Sequence, residues 1–134
     1  MDMNSCTNKV LEALQYAGQY ALEMSHPVMD VEHVLKALLN DTEGLFCRIL
    51  GNTELYKKEI DQILQNKVKS SNVSQQTMSI SYDLNGWLNK ADIIKGTFKD
   101  LYLSVEHLLL AMYELNNSSI KQLLNRYQKS KKRN

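Results

Sequence analysis

Two Glu-His dipeptides in this 134-residue sequence combine side chains that could bind a metal ion or catalyse a reaction. Glu32 precedes His33, and Glu106 precedes His107. Carboxylate and imidazole groups are zinc ligands, and together they can act as a general base. Each histidine, however, falls in the first turn of a predicted helix, where the positive helix end favours a neutral, packable imidazole. The sequence therefore predicts no metal site, and a structural role for both histidines.

The sequence contains no recognisable motif for a catalytic nucleophile or for a nucleotide-binding loop. No serine or cysteine stands at motif spacing from a base, so no catalytic residue is predicted. Cys6 and Cys47 follow no CxxC spacing and are expected to be buried or free thiols. No G-x-x-x-x-G-K-[ST] segment occurs in residues 1–134, which predicts that this chain holds no ATP. The chain itself is therefore expected not to be an enzyme.

Composition favours one all-helical domain. The chain is 43% hydrophobic and 23% charged, with one proline and five glycines to interrupt helices. Five of its basic residues fall in the last nine positions, and removing those five charges from the net +1 leaves −4 for residues 1–125. A nucleic-acid-binding protein carries its basic charge on the folded body, so nucleic acid is an unfavourable partner.

The sequence shows no pattern typical of a membrane span or of a signal peptide. No stretch approaches the roughly 18 apolar residues of a membrane span, and the first residues lack the order of charges and apolar residues found in a signal peptide. We expect a soluble protein with no membrane partner. The cytoplasm, an organelle and a vacuolar lumen all stay open as its location.

The chain aligns with itself at a single fixed offset. "DVEHVLKALL" at 30–39 returns as "SVEHLLLAMY" at 104–113, and the apolar positions upstream match without a gap. We call this the repeat alignment, and it pairs Val31 with Val105. A unit of about 45 residues cannot bury its own apolar faces, so we expect the two copies to pack on each other around a pseudo-twofold axis. The expected fold is a compact all-α double repeat of seven to eight helices.

Helix-start residues divide the chain further. Thr7 and Ser81 are expected to cap the first helix of each copy, and Asp30 and Ser104 the second. Trp87 lies on the apolar stripe of its helix and is predicted to belong to the core. The predicted segments are a first repeat at 7–51, a connecting helix at 53–69, a mobile loop at 70–80, a second repeat at 81–125 and a basic tail at 126–134.

The segments Thr7-Asn8-Lys9-Val10, "EHVLKALL", "EHLLLAMY" and "GLFCRIL", together with the duplication, resemble the Clp N domain. This family is the amino-terminal double repeat of ClpB-, ClpA- and ClpC-type AAA+ unfoldases, and the ClpB disaggregases are the most similar type. The resemblance covers residues 5 to about 125. Family members usually end in an eighth helix, which is expected to be missing or shortened here.

The resemblance implies a substrate- and adaptor-binding module. Such a domain captures unfolded, misfolded or aggregated polypeptides in a shallow apolar groove and delivers them to the ATPase ring. It implies a monomeric isolated domain, a hexameric parent protein, and ATP and magnesium only in downstream domains. The alternative is a free-standing helical interaction module that regulates a Clp protease or another folded partner.

The resemblance also implies site residues. Thr7, Asp100 and Glu106 match substrate-handling positions at the polar rim, and Ile94 matches an apolar position that lines the groove. Lys90 and His107 are polar at neighbouring positions that are often apolar in the family. We expect the groove at the seam where the first helix of one copy meets the second helix of the other.

Overall fold

The computed structural model describes residues 3–132 and confirms the all-α double repeat. Seven α-helices, two short strands and one 3-10 turn follow each other along these residues. Their bounds are Met3–Ser5 (3-10), α1 Asn8–Glu23, β1 Val28–Met29, α2 Val31–Asn40, α3 Leu45–Leu50, α4 Thr53–Gln65, β2 Ser79–Ile80, α5 Tyr82–Thr97, α6 Val105–Met112 and α7 Ser118–Lys132.

The predicted caps begin the first helix of each copy. Thr7 Oγ1 accepts a hydrogen bond from the Val10 N–H at 3.4 Å, and Ser81 Oγ accepts one from the Leu84 N–H at 2.9 Å. These side chains satisfy backbone donors that have no partner inside the helix. The sequence therefore determines where α1 and α5 begin.

Histidine completes the cap of the second helix in both copies. His33 Nδ1 accepts the backbone N–H of Asp30 at 2.9 Å, and His107 Nδ1 accepts that of Ser104 at the same distance. The Asp30 and Ser104 side chains accept in return from the backbone of these histidines, which forms a reciprocal capping box. The repeated "VEH" is thus a helix-start motif in which histidine takes the place usually held by glutamate.

One apolar core runs through both copies. Helix α1 packs on α2 and α5 packs on α6, while contacts of α3 with α6 and of α2 with α5 join the copies. Trp87 is fully buried, as predicted, and its Nε1–H donates to the Leu108 carbonyl at 2.8 Å. Cys6 and Cys47 are buried, and neither forms a disulfide within the described residues.

The copies also exchange backbone hydrogen bonds. The Thr7 N–H donates to the Leu103 carbonyl at 2.9 Å, and the Ser81 N–H donates to the Met29 carbonyl at 3.0 Å. These two bonds are equivalent under the repeat alignment. The strands β1 and β2 pair in parallel around the second bond, and Cys6 pairs with Leu103 in the same sense around the first. The hydrogen bonds between the copies therefore follow the predicted pseudo-twofold relation.

The connecting helix is shorter than the predicted 53–69. Helix α4 ends at Gln65, and Val68, which the pattern placed on its apolar face, is 80% exposed. Leaving the helix lets the Lys67 side chain turn back towards α2, where it pairs with Asp30 and Glu32. The stretch predicted as a mobile loop, 70–80, ends in β2, which holds residues 79–80 in a sheet with β1.

The end of the second copy also differs from the predicted boundary at 125. Helix α7 continues to Lys132, so the described part of the predicted basic tail is helical. Gly51 and Asn52 have φ values of 70° and 51°, so they interrupt the helical conformation between α3 and α4. Their equivalents, Asn125 and Arg126, continue as helix, so no separate eighth helix begins within residues 3–132.

Helix α7 is fastened to the corner between α3 and α4. The Tyr127 hydroxyl donates to Glu59 Oε2 at 2.6 Å, and Arg126 pairs with the same carboxylate. Gln128 Nε2 donates to the Leu50 carbonyl, and Asn52 Nδ2 donates to the Tyr127 carbonyl at 3.1 Å. The last described helix of the second copy is thus held by the first.

A buried charge cluster ties the connecting segment to α2. Lys67 Nζ lies 2.9 Å from Asp30 Oδ2 and 3.2 Å from Glu32 Oε1. Glu32 is only 2% exposed, and its burial, followed by the nearby Asp30 carboxylate, raises its pKa. The Ser81 hydroxyl donates to Asp30 Oδ1 at 2.7 Å. The cluster therefore joins the first copy, the connecting segment and the start of the second copy.

Replacing Lys67 tests this cluster. Lys67→Met should lower the free energy of unfolding at pH 7 by about 3 kcal/mol, because the buried Glu32 carboxylate loses its partner. The raised pKa of Glu32 lets the folded state take up a proton at a higher pH than the unfolded state, so the loss should shrink towards pH 5. Urea unfolding at both pH values measures this loss of stability. The double variant Glu32→Gln/Lys67→Met should recover most of the stability, and a loss that is independent of pH would contradict this interpretation.

Candidate functional site

An open apolar groove lies between α5 and α6. Its volume of about 520 Å³ is close to the 470 Å³ of two other surface clefts, and what distinguishes it is its lining. Ile93 is 64% exposed and Phe98 57%, although both are large apolar side chains. A cluster of exposed apolar side chains is typical of an interaction site. The lining residues of this α5–α6 groove are Lys90, Ile93, Ile94, Thr97, Phe98, Leu110, Tyr113 and Glu114.

The equivalent face of the first copy is more polar and is divided between two clefts. Lys36 stands where Leu110 stands in the second copy, and its Nζ lies 2.7 Å from Asp61 Oδ1 on α4. Tyr20 stands where Ile94 stands, and its hydroxyl accepts from Asn40 Nδ2 at 2.7 Å. Helix α4 covers α2 in this way, whereas α6 packs against α5 and α3.

The groove that holds Ile94 therefore lies within the second copy and not, as predicted, on the seam between the copies. Ile94 is half-buried and packs against the core from the groove wall. Lys90 lines the same groove, and its Nζ lies 3.5 Å from Glu114 Oε1. A second cleft borders the seam beside α1, α2, α3 and Val105, and its lining mixes charged side chains such as Lys9 and Glu12 with aromatic ones such as Tyr16.

Asp100 contacts a buried histidine. His107 Nδ1 is occupied by the Ser104 N–H, so a neutral imidazole carries its proton on Nε2 and donates it to Asp100 Oδ2 at 2.7 Å. His107 is 3% exposed, and its ring lies 6.3 Å from that of Phe98, at one end of the groove. Asp100 thus holds His107 in place, and it braces the loop that follows Phe98.

The four predicted site residues do not converge on one point. Ile94 lines the groove, while Thr7 and Asp100 make contacts that position the loop before α6. Glu106 is exposed on the first turn of α6. Its equivalent in the first copy, Glu32, is buried under Lys67. The connecting segment therefore covers this glutamate in the first copy, whereas its equivalent in the second copy is accessible.

The position equivalent to Asp100 is occupied by a histidine, His26, in the first copy. His26 Nδ1 lies 2.8 Å from His33 Nε2, and both rings are buried. Burial, followed by the charges of His26 and Lys67, lowers the pKa of His33 to about 4. This pairing was not predicted from the sequence, although the repeat alignment places His26 opposite Asp100 and was a usable signal.

Metal-binding and membrane-spanning features are not found in the described residues. No group of three or more His, Cys, Asp or Glu side chains in residues 3–132 is arranged to hold a metal ion. His33 and His107 each make their own capping contacts, as described above. None of the helices in this part of the chain is long and apolar enough to cross a bilayer.

Two substitutions distinguish the hydrogen bond of Asp100 from its charge. Asp100→Ala should lower the free energy of unfolding by about 1–3 kcal/mol, because the buried His107 Nε2–H loses its acceptor. Asp100→Asn keeps an oxygen acceptor and should cost less than about 1 kcal/mol. Chemical denaturation measures both variants. Equal losses in the two variants would show that the charge, and not the hydrogen bond, carries the contribution.

The histidine pair predicts acid sensitivity confined to the first copy. Because the pKa of His33 is lowered from 6.5 to about 4, the unfolded state binds more protons between these values. Stability from this group is complete above pH 6.5 and falls towards pH 4, by up to about 3 kcal/mol. His26→Asp reproduces the arrangement of the second copy and should flatten this slope in urea-unfolding midpoints measured from pH 7 to 4.5. The converse substitution, Asp100→His, should steepen it, and slopes unchanged in both variants would refute the assignment.

The family model for the Clp repeat (R) N-terminal domain matches residues 5–127. The chaperone protein ClpB of Lactococcus lactis subsp. cremoris strain MG1363 is 34% identical over 131 residues, which cover 92% of this chain and 15% of that protein. ClpB 1 of Nostoc sp. strain PCC 7120 is 31% identical over 117 residues, 84% of this chain and 13% of that protein. The chain therefore spans about one seventh of the length of these curated relatives.

The fold is shared with a solved structure. The N-terminal domain of Hsp104 from Candida albicans superposes with a TM-score of 0.77 at 20% identity, over 92% of this chain and 82% of that one. This likeness bears on the fold, and the match to the family model over residues 5–127 carries the assignment. With its duplicated helix-start motif and its exchanged backbone hydrogen bonds, the chain belongs to the Clp repeat N-terminal domain family.

Proposed function

We propose that the α5–α6 groove binds extended apolar stretches of unfolded or aggregated polypeptides for a Clp-type AAA+ chaperone. The observation that carries this proposal is the contrast between the copies. The same face carries Lys36 and Tyr20, both held in polar contacts, in the first copy, whereas it carries the apolar Leu110 and Ile94 in the second. Leaving an apolar face exposed costs solubility, so we attribute it to a binding role.

The dimensions of the groove favour an extended guest over a folded one. The α5 side of the groove extends from Lys90 to Phe98, a helical rise of eight residues or about 12 Å. An extended chain advances about 3.3 Å per residue, so three or four guest residues fit along this wall. Such a small apolar contact binds weakly and tolerates many sequences. Several copies around a hexameric ring would recover affinity through multivalency.

In this proposal the domain is a binding module and performs no reaction. ATP and magnesium would act in other domains of the chaperone, which would take over the captured segment for unfolding, disaggregation or translocation. Adaptor proteins would reach the same open face, and the exposed Glu106 lies one helical turn before Leu110 on α6. Thr7 and Asp100 would support binding indirectly, because they position the loop between α5 and α6.

Substitution of Ile93 tests the groove with little effect on the core. Ile93→Asp should weaken binding of fluorescein-labelled, reduced and carboxymethylated α-lactalbumin at least about tenfold, because a charge in the groove must be desolvated against the apolar guest. Fluorescence anisotropy measures the binding. Ile93 is 64% exposed, so the unfolding midpoint should stay close to that of the parent chain. Ile94→Asp should weaken binding too, but it also disturbs the core against which Ile94 packs.

The matched control lies in the first copy. Gln19 is exposed and occupies the position equivalent to Ile93, so Gln19→Asp introduces the same charge on the polar face of the first copy. This control should bind the labelled polypeptide as the parent chain does. Unchanged binding by Ile93→Asp, or equal losses in both variants, would remove the groove from the proposed function.

A further inference from the structure

An ion pair spans one end of the α5–α6 groove. Lys90 Nζ on α5 lies 3.5 Å from Glu114 Oε1, just past the end of α6, and the two side chains are 43% and 54% exposed. Both residues line the groove beside Tyr113 and Ile94. Beyond this pair the groove has no further lining residue on α5. The apolar wall therefore ends at Lys90.

The first copy has a polar link at the same place in the fold. Asn40 is equivalent to Glu114, and its amide donates to the Tyr20 hydroxyl on α1 at 2.7 Å. Each copy thus joins its first helix to the end of its second helix through a polar contact, made by different residues. In the first copy the link lies on a polar face, whereas in the second it borders the apolar groove.

The positions of the lining residues along α5 give the length of the apolar wall. Ile93, Ile94 and Phe98 form the apolar wall, and the rise from Ile93 to Phe98 is about 7–8 Å. An extended guest covers that distance with two or three residues. Including the Lys90 position would lengthen the wall by about one helical turn, which corresponds to one or two more guest residues.

We propose that Lys90, held across the groove by Glu114, is a specificity-determining residue that limits the apolar stretch of a bound guest to about two or three residues. This inference rests on the proposed function of the groove. Physically, an apolar guest side chain placed over Lys90 would have to desolvate the ammonium group and break its ion pair without a replacement partner. Guests with longer apolar stretches therefore gain nothing from their additional residues at this end.

A peptide series measures the limit directly. Fluorescein-labelled peptides with two, four or six consecutive leucines between Gly-Ser flanks are titrated into the chain, and Kd is read from anisotropy. The parent chain should bind the four- and six-leucine peptides with equal Kd. Lys90→Leu should bind the six-leucine peptide about tenfold more tightly than the parent chain does and should leave the two-leucine peptide unchanged, because one further leucine becomes buried.

Lys95→Leu is the matched control on the same helix. Lys95 also forms an ion pair, with Asp92 at 3.1 Å, but does not line the groove. This variant should show the Kd values of the parent chain for all three peptides. An equal gain for every peptide length, or the same gain in Lys95→Leu, would show a general effect of added hydrophobicity and would overturn the role of Lys90.

Ile93→Asp, titrated in parallel, separates the two proposals. If it leaves binding of the two-leucine peptide unchanged, the groove is not the binding site and both proposals fail. If it weakens binding while Lys90→Leu changes no Kd in the series, the groove binds guests but Lys90 does not limit them. Unfolding midpoints of all variants verify that they fold, and an exposed pair such as Lys90–Glu114 contributes too little for its loss to prevent folding.

Discussion

Two backbone hydrogen bonds between the copies constrain the rest of this structure. The residue that begins the first helix of each copy donates to the loop before the second helix of the other, through Thr7 to Leu103 and Ser81 to Met29. Neither copy can close its core alone, because a unit of this size buries too little of its apolar surface. The exchange brings α5 into contact with α2 as well as with α6. It also fixes the positions from which the capping histidines act.

The symmetry set up by this exchange is broken by the connection between the copies. A single connecting segment, α4 with Lys67, follows the first copy and covers it, burying Glu32 and pairing Asp61 with Lys36. The second copy is followed by a helix that runs on without the break at Gly51 and Asn52. The same face is therefore polar in the first copy, at Lys36, and apolar in the second, where it carries the groove.

The sequence predicted most of the features that depend on local patterns. The repeat alignment, the caps at Thr7 and Ser81 and the apolar stripe of Trp87 are all readable one turn at a time, and the structure confirms them. The sequence did not indicate that Ile94 lines a groove within the second copy, because the exposure of that face depends on which helix covers it. The role of His107 needed the contact with Asp100, which lies outside the helix and which helical periodicity does not indicate.

The attachment of α7 to the first copy has a mechanical consequence. Tyr127 and Gln128 bond to Glu59 and Leu50, so the final described helix is anchored on residues from the first half of the chain. A pull on the chain beyond this helix would load these contacts, and the force would pass into α3 and α4. Because α3 packs on α6, the same load would reach one wall of the α5–α6 groove.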